Sequence, residues 1–98
     1  MAYATYPLLS NASATGSAVE WPGGAGVFHA SGTFSGATIK LQWSPNNSTW
    51  FDVDRSGDTY VTFTAAGLGA FELPAGYVRA VVTGGPPSAM YADVRGLA

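Results

Sequence analysis

GATIKLQWSPNNSTWFDVD, residues 36–54, decides the fold. Ala37, Ile39, Leu41 and Trp43 alternate with Thr38, Lys40 and Gln42, so an extended chain here presents one apolar and one polar face. Ser44-Pro45-Asn46-Asn47-Ser48 follows. Proline fixes φ, and asparagine tolerates positive φ while its side chain bonds nearby backbone, so this run predicts a tight turn. Thr49 to Val53 then restarts an aromatic, β-branched extended run. The stretch reads as a β-hairpin, and the rest of the chain as strands added to it.

Outward from the hairpin, Gly26 to Phe34 alternates Phe28, Ala30 and Phe34 against His29, Ser31 and Thr33. Ser17 to Trp21 is a short strand stopped by Pro22-Gly23-Gly24. On the other side, Arg55-Ser56-Gly57-Asp58 reads as a turn and Thr59 to Thr64 as a strand with Val61 and Phe63 inward. Ala65 to Gly69 reads as a loop, Ala70 to Leu73 as a strand, and Pro74-Ala75-Gly76 as a turn. Tyr77 to Thr83 and Met90 to Arg95 are the last strands, separated by a Gly-Gly-Pro-Pro loop. Seven to eight short strands with a turn signal about every ten residues, and no helical period, predict one all-β antiparallel sandwich or barrel.

Ninety-eight residues hold one domain. We divide it into an N-terminal arm, 1–16, and a β-sandwich domain, 17–98. The arm is small and polar except for Tyr3, Tyr6, Leu8 and Leu9, and ordering it costs about 1–2 kcal/mol per residue. A partner subunit is therefore its expected dock. Only 10% of residues are charged, against a usual ~25%. A surface so short of charge suits packing against a partner. Four scattered cations and a net charge of −2 argue against nucleic acid. With no cysteine, neither disulfides nor thiolate metal sites are expected. MAYATYPLL lacks the basic region and long apolar run of a secretion signal, and no segment has the ~20 apolar residues of a membrane span.

Any Ser–His–acid relay would have to use His29, the single histidine, and no Gly-x-Ser-x-Gly elbow surrounds a serine. Asp52 and Asp54 fall two apart on one strand face, a pattern of solvated polar positions as readily as of a carboxylate pair. Asp52-Val53-Asp54-Arg55-Ser56-Gly57 spaces oxygen donors as a calcium loop does, yet Phe63 stands where the bidentate acid belongs. No enzyme activity, cofactor or metal is expected. Trp50 follows the hairpin loop directly, and Tyr60, Tyr77 and Tyr91 lie on faces opposite core positions; such rings would stack sugar rings or enter a subunit interface. We single out Tyr3, Tyr6, Leu8, Leu9, Trp50 and Tyr60 as partner-binding residues. The Asn-x-Ser/Thr triplets at Asn11, Asn46 and Asn47 read as coincidental.

Leu41-Gln42-Trp43-Ser44-Pro45-Asn46-Asn47-Ser48-Thr49-Trp50 resembles a hairpin of small β-sandwich proteins of tailed-phage virions. Phe71 to Val82, with its Leu-Pro-Ala-Gly turn and Arg-Ala-Val strand, and Gly84 to Ala92 are similar to the second half of the same proteins. The resemblance covers about residues 36–97. It implies a capsid decoration, or cement, protein. Such a protein forms a homo-oligomer, trimer favoured, and clamps neighbouring major capsid subunits on the virion surface after synthesis in the host cytoplasm. Ser44 through Trp50 also resembles the hairpin of discoidin-like domains, with Pro45 and Asn46-Asn47 in place of their Asp-Gly. The alternative it implies is a glycan-binding or receptor-recognition module, as in a tail fibre.

Overall fold

The computed structural model describes residues 5–13, 15–54 and 61–96. Nine strands are seen: β1 Thr5–Ala12, β2 Val19–Trp21, β3 Gly24–Thr33, β4 Thr38–Ser44, β5 Phe51–Asp52, β6 Thr62–Phe63, β7 Gly67–Leu73, β8 Gly76–Thr83 and β9 Ser88–Gly96. They build two antiparallel sheets, ordered β1-β9-β3-β7 and β2-β8-β4-β5, with β6 also pairing β4. β5 pairs Gln42 and Trp43, and β6 pairs Ile39 and Lys40. The two are halves of one edge strand, which the chain leaves after Val53 and rejoins at Val61. Every link crosses from one sheet to the other, except those joining β4, β5 and β6. This is the wrapping of a jelly roll, two sheets face to face with no closed barrel.

The alternation read in residues 37–43 is what places β4. Ile39 and Leu41 are fully buried, while Lys40 and Gln42 point away from the core. The predicted turn is closed from within. Buried Ser44 donates its hydroxyl to Asn46 Oδ1 (3.1 Å) and accepts from the Asn46 and Ser48 amides. Asn46 Oδ1 accepts in turn from the Ser48 and Thr49 amides, and Asn47 takes a positive φ of 60°. Side-chain oxygens thereby satisfy donors that no strand reaches.

Between the sheets, Phe28, Ala30, Met90, Ala92 and Val94 meet Trp21, Ile39, Leu41, Val78 and Ala80. At one side of the sandwich Tyr6 packs edge-on to Trp21, which leans against Phe71. At the other side Phe63 stacks on Phe28, with ring centroids 5.8 Å apart. Gly26 makes this packing geometrically possible. A Cβ there would sit 2.8 Å from the Trp21 ring and 2.9 Å from both the Arg95 carbonyl and the Phe71 ring.

Three sequence expectations change. Thr5–Ala12 of the expected arm is a strand: β1 pairs β9 along its length, and Leu8 and Leu9 lie in the core of the chain itself. Consecutive leucines both face inward because the register slips between Pro7 and Leu9, inserting one residue. Gly67 to Gly69, read as loop, begins β7, since glycines are permitted in a strand whose partner β3 supplies the ladder. Of the expected strand Thr59 to Thr64, Thr62 and Phe63 form β6 and Val61 and Thr64 flank it, while Thr59 and Tyr60 lie outside the described residues. The Arg55-Ser56-Gly57-Asp58 turn lies outside the described residues.

Candidate functional site

The two sheets turn different chemistry outward. On the β2-β8-β4-β5 sheet, β4 and β8 run in unbroken register from Thr38↔Thr83 to Ser44↔Tyr77, which sets Gln42 opposite Arg79. The Arg79 guanidinium donates twice to Gln42 Oε1, at 3.0 and 2.8 Å. Gln42 Nε2 then donates to Asp52 Oδ1 (2.8 Å), and Lys40 Nζ donates to Oδ2 (3.2 Å). Arg79 also lies over the Trp50 ring, 4.2 Å from its centroid. The Gln42 hydrogen bond, with help from Lys40, holds the Asp52 carboxyl below its ordinary pKa against the opposing effect of burial. The result is a row of compensated polar groups ending in one half-buried indole.

The β1-β9-β3-β7 sheet exposes two large apolar side chains, Leu68 and Tyr91, beside a charged cluster. His29 of β3 stands opposite Asp93 of β9 on one side and Leu68 of β7 on the other. His29 Nδ1 lies 3.4 Å from Asp93 Oδ1, close but not aligned as a hydrogen bond, and both atoms are sealed from solvent. Arg95 donates to Asp93 Oδ2 (3.3 Å), so the carboxylate has a cationic neighbour on the same strand. Around this group are the apolar side chains Leu68, 68% exposed, and Tyr91, 46% exposed, with Val27 beside them. A shallow depression of about 270 Å³ is lined by Val27, His29, Leu68 and Arg95.

The sequence-selected residues do not converge. Tyr6 is half-buried against Trp21, Leu8 and Leu9 are core, and Trp50 lies on the other sheet beneath Arg79. Tyr3 and Tyr60 lie outside the described residues. Tyr91 points outward as expected, while Leu68 was hidden by its two flanking glycines. Asp54, weighed as a calcium donor, accepts from the Val61 amide and the Thr62 hydroxyl, so it pins the returning half of the edge strand. Asp58 is outside the described residues. Asp52 and Asp54 do not act as a pair: one joins the Gln42–Lys40 row, the other holds β6.

No protein-family model, curated protein or solved structure matches the chain.

Proposed function

We propose that this chain is a non-enzymatic structural protein of a phage particle. In this reading it decorates and stabilises the capsid surface by binding, as a homo-oligomer, across neighbouring major capsid subunits. One observation carries the reading: the outer face of the β1-β9-β3-β7 sheet exposes Leu68 and Tyr91 near Asp93, which Arg95 pairs. Covering such a face removes apolar area from water, worth about 25 cal/mol per Å². The resemblance of residues 36–97 to small phage virion proteins gives the partner its class. The jelly roll is compatible with the role but does not select it, because capsid and lectin domains share that wrapping.

The test is co-sedimentation with expanded, undecorated shells of the parent phage. Stoichiometric binding at micromolar concentration is the expected result, and no binding there overturns the proposal. Removing the first ten residues would be uninformative, because Leu8 and Leu9 belong to the core. A second reading, glycan binding, draws on Trp50 and the Arg79-Gln42-Asp52 row beside it, an aromatic ring next to hydrogen-bonding groups. Arg79 already covers one face of that indole, which leaves one face for a sugar ring. Retention on a glycan array by wild type but not by Trp50→Ala would favour this second reading.

A further inference from the structure

Four positions in the two sheets are edges, and three are blunted against further pairing. β1 carries Pro7 and two register slips. β2 has three residues, and the edge beside β4 is broken into β5 and β6, two residues each. β7 differs. It is seven residues long, pairs β3 in unbroken register from Gly67 to Leu73, and contains no proline. No other described strand pairs with its far side.

We propose that β7 pairs with β7 of a second copy of this chain, antiparallel about a two-fold axis at Ala70. The two four-stranded sheets then join into one continuous sheet. In this register Ala70 faces Ala70, Leu68 faces Glu72, Gly69 faces Phe71 and Gly67 faces Leu73. Ala70 lies on the axis with Gly69 on one side, and Phe71 on the other side is turned into the core, so the backbones meet without a steric obstacle. Glu72 is the strand's single charge. The two copies of Glu72 stand four residues apart, roughly 14 Å at ~3.4 Å per residue, beyond the Debye length of about 8 Å in physiological salt. Each exposed Leu68 gains the aliphatic stem of a Glu72 as neighbour.

Against the other sheet, Gly67 at the start of β7 lies next to Phe63 of β6 and Phe71 further along packs on Trp21 of β2, so β7's inward side is occupied while its outer edge is not paired by any described strand. A two-fold axis occupies both β7 edges at once, so the pair closes and does not run on into a fibre. The result is a dimer in place of the trimer that the phage resemblance favours, and it stands or falls separately from the capsid reading.

The chain has no cysteine, which makes cross-linking specific. Directly opposed antiparallel residues have Cα atoms about 4.5–5.5 Å apart, within disulfide reach. Ala70→Cys should therefore convert to a covalent dimer under mild oxidation. Leu68→Cys should stay monomeric on the same non-reducing gel, because its two copies lie roughly 14 Å apart. Sedimentation equilibrium of the wild type at tens of micromolar should report twice the 10.1 kDa chain mass. Ala70→Lys, which sets two ammonium groups face to face, should return it to the monomer with an unchanged far-ultraviolet circular dichroism spectrum. A monomeric wild type at high micromolar concentration overturns the proposal. So does equal cross-linking at positions 68 and 70, or a dimer indifferent to Ala70→Lys.

Discussion

Single residues carry constraints that no neighbour can relieve. At Gly26 a methyl group would press on two aromatic rings and a backbone oxygen, and the strand oxygen has no room to retreat. Gly26→Ala is therefore expected to cost about 1–3 kcal/mol, seen as a lower urea midpoint at an unchanged slope. Asp52 gives a pH signature. Its folded pKa lies below the ordinary 3.8, so its contribution is complete above that value and is lost as pH falls through the lower folded one. Stability of Asp52→Asn measured from pH 7 down to 3 should show a deficit that shrinks below pH 3.8. Because the pair with Lys40 is half-exposed, the deficit at neutral pH should stay under about 1 kcal/mol.

At the scale of elements, β1 is the instructive case. Leu8 and Leu9 each remove a side chain from water, about 1.5–3 kcal/mol apiece, a large fraction of a stability of about 5–15 kcal/mol. Deleting residues 1–10 should therefore abolish the cooperative thermal transition, and Leu9→Ala alone should cost about 2–5 kcal/mol. Sequence reading missed this because adjacent leucines break a period-two pattern, and the bulge that admits both is visible only against β9. It recovered β4 and its turn because Ile39, Leu41 and the Ser44-to-Ser48 run are locally specified. β7 was half legible: Phe71 and Leu73 alternate, whereas Gly67 to Gly69 are strand solely through pairing with β3. The site was less legible than the fold. Nothing local links Trp50 to Arg79, or His29 to Asp93, until the sheets align them.

At the scale of the molecule, the two outer faces divide the proposals. One is a compensated polar row, Lys40-Asp52-Gln42-Arg79, in which each hydrogen bond rigidifies the next. The other exposes Leu68 and Tyr91 beside the His29-Asp93-Arg95 group. Pairing through β7 would set two copies of this second face side by side, doubling the surface offered to a repetitive shell. The most direct measurement is co-sedimentation of three proteins with expanded shells: wild type, Tyr91→Lys and Trp50→Ala. The capsid-docking account predicts that wild type and Trp50→Ala bind stoichiometrically while Tyr91→Lys binds at least tenfold more weakly, about 1.4 kcal/mol. Full binding by Tyr91→Lys with loss by Trp50→Ala would contradict it, placing the contact on the opposite sheet.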